Sequence, residues 1–256
     1  MIDLHTHILP DWDDGAKDWD EMSRMIEIAV KDGIKKMVLT PHVYRLSKYG
    51  DDLKVLNRRM SEFGTRVKEK PIDFYRGAEV FVQHDLIASV KSNRFSVNSS
   101  NYVFVEFPAA YVPSGARDLF YNLMIEGFIP IISHPERNMI FADRPEMLFD
   151  LIEAGSLAQV TAKSITGEFG PEAKRAAQLF LKNNLVHAIA SDAHDSSGRP
   201  PVLSKGVDEA AKIVGEEKAT AMVTVIPQAI LDNQDVPDYG DPVNPTRKKM
   251  WFRQAP

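Results

Sequence analysis

The sequence predicts an α/β protein in which parallel strands alternate with crossover helices, at a size that fits one α/β barrel. Three observations predict it. Seven short apolar runs alternate with stretches of helical periodicity along the 256 residues. Their cores are apolar on both faces, as in a sheet that helices cover from each side. His, Asp or Glu stands at the end of all but one run, and the carboxyl ends of the strands are where parallel α/β folds build their sites.

The first strand spans 2–7. It alternates, so His5 and His7 point to one face, and it runs into the acidic loop Pro10-Asp11-Trp12-Asp13-Asp14-Gly15. Asp18 reads as a helix cap with Glu21 three residues on. Trp19, Met22, Met25, Ile26, Ala29 and Val30 then share one helical face, and Gly33 stops the helix. The second strand, 36–40, ends at Pro41-His42, and a polar loop covers 44–52. A helix over about 53–68 closes at Pro71. The third strand, 72–76, ends in Gly77-Ala78-Glu79. A short helical piece at 85–89 and turn-rich residues 92–101 lead to the fourth strand, 102–107, rich in β-branched and aromatic residues. A helix over about 116–126 stops at Gly127 before the fifth strand, 129–133, and His134-Pro135-Glu136-Arg137. Pro145 opens a helix to Ala154, and the sixth strand is 157–161. Pro171 opens a helix to Asn183. The seventh strand, 186–191, meets Asp192-Ala193-His194, and one or two helices fill 207–223. From about Asp232 the chain is rich in turns, then basic and aromatic over 247–253. One domain over 1–231 with an appendage over 232–256 is the expected division.

Composition narrows the chemistry. There are no cysteines, which excludes disulfides, thiolate metal sites and cysteine nucleophiles. A net charge of −5 argues against general binding to nucleic acid or anionic membrane. No apolar run approaches the ~20 residues of a membrane span, and no basic-then-apolar leader opens the chain. The expectation is a cytoplasmic protein.

Taken strand by strand, the ends carry His5 and His7, His42, Glu79, Glu106, His134, and Asp192 with His194. Only the sixth, at Thr161-Ala162-Lys163, offers no ligand. With one aspartate of the first loop, Asp13 or Asp14, nine side chains converge on one mouth. A divalent ion usually takes three or four protein ligands, so nine suit two to three ions with bridging carboxylates. Imidazole and carboxylate donors fit manganese, iron or zinc. His84 and His187 fall away from the strand ends and serve as controls.

The stretches Met1-Ile2-Asp3-Leu4-His5-Thr6-His7, Asp13-Asp14-Gly15-Ala16, Thr40-Pro41-His42, Gly77-Ala78-Glu79, Val105-Glu106-Phe107, Ser133-His134-Pro135-Glu136-Arg137, Ala190-Ser191-Asp192-Ala193-His194 and Gly198-Arg199-Pro200-Pro201 occur in order along the chain. Together they resemble the PHP (polymerase and histidinol phosphatase) metal-dependent hydrolases. More closely, they are similar to the bacterial branch of protein-tyrosine phosphatases from capsule and exopolysaccharide operons. The resemblance implies a distorted seven-stranded (β/α)7 barrel with a trinuclear site at the carboxyl ends of its strands. One ion would take His5, His7, Glu79 and Asp192. A second would share Glu79 and take Glu106 and His134, and a third would take His42, His194 and Asp14. Two to three divalent ions are implied, manganese before iron or zinc, with Arg137 and Arg199 as the phosphate-binding arginines. The substrate implied is a phosphotyrosine protein, the tail of a bacterial tyrosine kinase that controls polysaccharide export.

The physics of these residues agrees. Three divalent ions facing four carboxylates leave about +2, which suits a phosphate monoester dianion and a hydroxide on the metal, and arginine forks match phosphoryl oxygens. A water of lowered pKa, about 7, would attack phosphorus in line, and a tyrosinate, with a conjugate-acid pKa of about 10, leaves readily. Asp11, Asp195 or a water on the metal are candidate general acids. Tyr44, Phe107 and Tyr111 are candidates to stack on a phenyl ring. The rivals are a small-molecule phosphatase of the histidinol phosphate type, a PHP-type nuclease, and a degenerate binding module that keeps its metals for structure. No nucleic-acid partner is expected, and homo-oligomerisation stays open.

Overall fold

The computed structural model describes residues 1–43, 53–93 and 95–246; the expected polar loop at 44–52, with Tyr44, and the basic, aromatic segment at 247–253 lie outside them. All seven expected strands are present and parallel to their neighbours, but two are broken in the middle. The elements in order are β1 (Ile2–Thr6), α1 (Trp19–Lys31), β2 (Lys36–Leu39), β3 (His42–Val43), α2 (Leu53–Arg66), β4 (Asp73–Arg76), β5 (Glu79–Phe81), α3 (Leu86–Asn93) and β6 (Tyr102–Glu106). There follow α4 (Ala116–Ile125), β7 (Ile129–Ser133), α5 (Met139–Asp143), α6 (Pro145–Glu153), β8 (Leu157–Thr161), α7 (Ala162–Thr166), α8 (Pro171–Lys182), β9 (Ala188–Ala190), α9 (Ser204–Val214), α10 (Glu216–Ala221) and α11 (Val225–Leu231).

The breaks have local causes. Between β2 and β3 stands Pro41, which has no N–H to give a ladder. Between β4 and β5 the chain passes so close to β2 that a Cβ on Gly77 would lie 2.9 Å from Val38 Cγ1. The lower halves form a three-stranded sheet, β1-β2-β4, and the upper halves open a six-stranded sheet, β3-β5-β6-β7-β8-β9. The expected seven-stranded barrel is therefore corrected to nine strands in two sheets, with no closed sheet among the described residues. What brings the first and last strands together is a single bridge, Thr6 to Ala193. Backbone bonds flank it from His7 N to Ala193 O (2.8 Å) and from Asp192 N to His5 O (2.9 Å). Asp3 reinforces this seam by accepting from Ser191 N (3.0 Å) and Oγ (2.5 Å).

The helices begin and end where the residues dictate. Asp18 Oδ1 accepts from Glu21 N at 2.7 Å, capping α1, and Met22, Met25, Ile26 and Ala29 are buried along it. Gly33 follows at φ 84°, where only glycine is unstrained. The strands β6 and β8 are buried along their whole length, whereas β4, at a sheet edge, is partly exposed. Three short helices, α5, α7 and α11, depart from the sequence reading. Each is a turn or two long, and α11 carries Pro227 in its first turn, which reads as a break in a linear sequence.

Residues 233–243 run past the amino ends of the strands. Asn233 Oδ1 accepts from Asn101 N (2.7 Å), Gln234 O from Tyr102 Oη (2.8 Å) and Asn183 O from Val243 N (2.8 Å). Among the described residues, the site lies at the opposite, carboxyl ends.

Candidate metal centre

All nine expected ligands lie at the carboxyl ends of the strands, and all but Asp14 are buried or nearly so. Four of their atoms crowd one point. His5 Nε2 and His7 Nε2 are 3.1 Å apart. Each is 3.4 Å from Glu79 Oε2, and they lie 3.6 and 3.4 Å from Asp192 Oδ1. An ion with bonds of about 2.0–2.2 Å sits between ligand atoms about 3.3–3.6 Å apart, and His5, His7 and Asp192 form one of the groupings that could hold one. Glu79 Oε2 and Asp192 Oδ1 are also buried with no hydrogen-bond donor, which is costly for carboxylate oxygens unless a cation meets them.

Three further groupings share these residues. Asp14 Oδ1 is 3.4 Å from both His42 Nε2 and His194 Nε2, with His7 close by. His134 Nε2 is 3.1 Å from Glu79 Oε1, in a group with His5. His42 Nδ1 lies 3.1 Å from Glu79 Oε2 and 3.8 Å from Glu106 Oε2. Glu106 thus groups with His42 and Glu79. Glu79 sits at the junction, near His5, His7, His42 and His134 at once.

The backbone aims these side chains. His134 and Asp192, each just past a strand, have φ of 32° and 50°. Such left-handed turns at non-glycine residues cost energy and gather at functional sites. The orienting shell contains residues the sequence reading did not single out in that role. Asp13 bonds His7 Nδ1 (3.0 Å) and His42 N (2.9 Å), so it faces away from the cluster that Asp14 joins. Gln159 Oε1 meets His5 Nδ1 at 2.9 Å. Glu136 accepts from Thr161 N (3.0 Å) and Ser164 Oγ (2.6 Å), holding the His134–Arg137 turn against β8. A glutamine amid the buried run Ala158-Gln159-Val160 was the available signal.

Charge follows from the crowding. Burial alone would push Glu79 up, but the His5 and His42 imidazoles hold it well below the usual carboxylate range. Asp192 is likewise held well below despite burial, by Arg137, His7, His5 and Arg199. Burial and the Arg137 charge bring His134 down to about 4. Burial would pull His7 down, yet Asp13, Asp192 and Glu79 raise it well above its ordinary value. The carboxylates are thus anionic, the state in which they bind metal, whereas His7 would give up its proton on binding one.

The cluster opens into a cleft of about 220 Å³, whose walls beyond the ligands include Phe107, Asn138, Arg137 and Arg199. Both arginines reach Asp192 Oδ2 through Nη2, Arg199 at 2.6 Å. Asp192 therefore turns one oxygen to the histidines and the other to the arginines. Of the aromatic candidates, Phe107 lines the cleft but packs on Phe120 and Phe141, and Tyr111 is exposed on the adjoining loop. Neither Asp11 nor Asp195 lines it. Asp11 pairs with Arg59 at 2.8 Å, and Asp195 accepts from the backbone of Ser197 (2.7 Å), Gly198 and Arg199 (3.1 Å). The control His187 is remote, accepting from Ala158 N at 3.2 Å.

A parallel α/β scaffold with buried imidazoles and carboxylates over its strand ends, and two arginines at the rim, defines the class of metal-dependent hydrolases. Within that class, the chain belongs to the family described as capsular polysaccharide synthesis, CpsB/CapC, whose model matches residues 1–232. The chain is 32% identical to the tyrosine-protein phosphatase YwqE of Bacillus subtilis, with 98% of this chain and 99% of that protein covered. It is 27% identical to the tyrosine-protein phosphatase CpsB of Streptococcus pneumoniae, covering 91% and 99%. A solved structure from the set comprising YwqE of B. subtilis and CpsB of S. pneumoniae, described as metal-dependent tyrosine phosphatases, superposes with a TM-score of 0.89. It is 32% identical and covers 95% of this chain and 99% of that one. A histidinol phosphate phosphatase from Lactococcus lactis, at TM-score 0.53 and 12% identity over 85% of this chain and 93% of that one, shares the fold.

Proposed function

We propose that this protein is a metal-dependent protein-tyrosine phosphatase. The observation that carries the reading is the set of four converging atoms from His5, His7, Glu79 and Asp192, with two carboxylate oxygens buried and without donors beneath two arginines. Family membership and the activity named for relatives of full-length coverage support it. His5, His7, Asp14, His42, Glu79, Glu106, His134, Asp192 and His194 would hold two to three divalent ions, manganese foremost. Bound there, such ions supply Lewis-acid neutralisation of the phosphoryl oxygens and lower the pKa of water to about 7.

The chain's own residues do the rest. Arg137 and Arg199 bind the equatorial phosphoryl oxygens and hold phosphorus over the cluster as charge develops. Asp192 fixes both guanidiniums relative to the cluster. Phe107 and the Ala109–Asn138 side of the cleft exclude water from the phenyl ring. Among the described residues the carboxylates that line the cleft, Asp14, Glu79, Glu106 and Asp192, are the ones assigned to metal, and a phenolate, with a conjugate-acid pKa of about 10, departs without a general acid.

Residues 1–231 form the catalytic unit in this reading, and 232–256 are an appendage. No helix among the described residues is long and apolar enough to cross a membrane. A cytoplasmic enzyme that acts on the phosphorylated tail of a tyrosine kinase in polysaccharide export fits the family. The test compares a phosphotyrosine peptide, the same peptide with phosphoserine, histidinol phosphate and single-stranded DNA. Turnover of phosphotyrosine far above the other three is expected. Comparable rates on phosphoserine, or faster turnover of histidinol phosphate or DNA, would overturn the assignment.

A further inference from the structure

The turn between α7 and α8 follows the one strand end without a ligand, yet it reaches the site. Phe169 stands there between Gly167 and Gly170, whose φ angles of 97° and 95° turn the chain sharply on either side. The half-buried ring is shared by three cations. Arg137 Cζ lies 5.4 Å from its centroid, Arg199 Cζ 5.6 Å and Lys163 Nζ 5.9 Å. Lys163 ties the arrangement together by donating to Gly198 O at 2.6 Å, in the loop that carries Arg199, and by pairing with Glu168 at 2.9 Å.

The two arginines pose a physical problem that the ring answers. Both Nη2 groups converge on the same oxygen of Asp192, so two like charges share one carboxylate. The Nε donor of each is buried and has no hydrogen-bond partner. A second carboxylate would hold the pair, but it would occupy donors and cancel the positive charge a phosphate needs. The negative face of an aromatic ring attracts both guanidiniums and accepts none of their N–H groups along the fork.

We propose that Phe169 is a positioning residue for phosphate capture. Its ring holds Arg137 and Arg199 side by side while their donors stay available to phosphoryl oxygens. The inference rests on the reading of those arginines as the phosphate ligands. The sixth strand thus contributes to the site through an aromatic support in place of a metal ligand.

The experiment uses the metal-loaded full chain with Phe169→Leu, Phe169→Tyr and Arg199→Ala, and inorganic phosphate as the probe. Calorimetry gives its Kd, and a phosphotyrosine peptide gives KM and kcat. Metal content and thermal midpoint are measured alongside. Leucine keeps apolar bulk without the ring, so Phe169→Leu should weaken phosphate binding about tenfold and raise KM by a similar factor, at unchanged metal content. Phe169→Tyr, which keeps the ring, should restore phosphate binding to within about threefold of the wild type. An unchanged phosphate Kd in Phe169→Leu overturns the proposal. So does equal weakening in Phe169→Tyr, which assigns the effect to packing. Arg199→Ala separates the two levels. If it too binds phosphate normally, the arginine reading has failed and this proposal with it. If it loses phosphate while Phe169→Leu does not, only the ring's role is lost.

Discussion

Replacing Glu79 by glutamine tests whether one carboxylate joins the metal groupings. The substitution keeps shape and volume and removes one charge. Glu79 Oε2 lies 3.4 Å from His5, 3.4 Å from His7 and 3.1 Å from His42, and Oε1 lies 3.1 Å from His134. Glutamine leaves four imidazoles around a neutral amide. Breaking a buried charge set by removing one partner costs about 3–5 kcal/mol. At 1.36 kcal/mol per decade this is an affinity loss of roughly 10²- to 5 × 10³-fold for an ion held there. Because Glu79 groups with His5 and His134 on one side and with His42 and Glu106 on the other, more than one ion should be lost together. Elemental analysis after gel filtration, followed by manganese titration of the stripped protein, reads both numbers. Circular dichroism confirms that the variant is folded. A variant that retains its full complement at wild-type affinity, or that drops a single ion and keeps the rest unweakened, would refute the bridging role.

Three more expectations can be checked in parallel. Asp14→Ala should remove an ion outright, whereas Asp13→Ala, which only orients His7 and His42, should weaken metal binding about 10–100-fold and leave the stoichiometry at saturating metal intact; identical titration curves would dissolve the distinction. Gly15→Ala places a Cβ 1.9 Å from His7 O, so the loop carrying Asp14 must move. A stability loss of about 1–3 kcal/mol with impaired metal binding should appear in denaturant melts, and wild-type behaviour would show that the loop adapts freely. His187 is held at about 4 by burial and then by Lys218, below the ordinary histidine range. The unfolded chain binds the extra proton between about pH 6.5 and 4, so this stabilisation is complete above about 6.5 and falls away on acidification by roughly 1–3 kcal/mol. His187→Gln should lose less stability than the wild type between pH 7 and 4.5, and parallel losses would count against it.

The strand ends were readable because ligands have a distinctive chemistry at a place the fold prescribes. His-x-His on an alternating strand and Asp192-Ala193-His194 after the last one announce themselves without tertiary information. The division of the sheet does not. Pro41 and Gly77 each look like ordinary strand terminators, and only the packing of β4 against Val38 shows that the chain resumes as a second strand two residues later. The choice between adjacent aspartates was also closed to one-dimensional reasoning. Asp13 and Asp14 are equally good donors, and it is the turn bonded from Ala16 N to His7 O that sends one toward His7 Nδ1 and the other toward His42 and His194. Phe169 was invisible for a different reason. An isolated aromatic in a glycine-flanked loop carries no signal until the cations around it are in place.

The seam between β1 and β9 has a consequence for how the protein is made. His5 and His7 emerge from the ribosome well before Asp192, His194 and Arg199, which follow the helix that leads into β9. A domain folding from its amino end during synthesis holds its first two imidazoles without the carboxylate that completes their cluster. The Thr6–Ala193 bridge forms only when both ends of the fold exist. A nascent chain therefore lacks the His5–His7–Asp192 and His7–Asp14–His42–His194 groupings until its last strand has been made. The complete set of groupings, and with it the junction at Glu79 between early and late ligands, exists only once both ends of the fold have met.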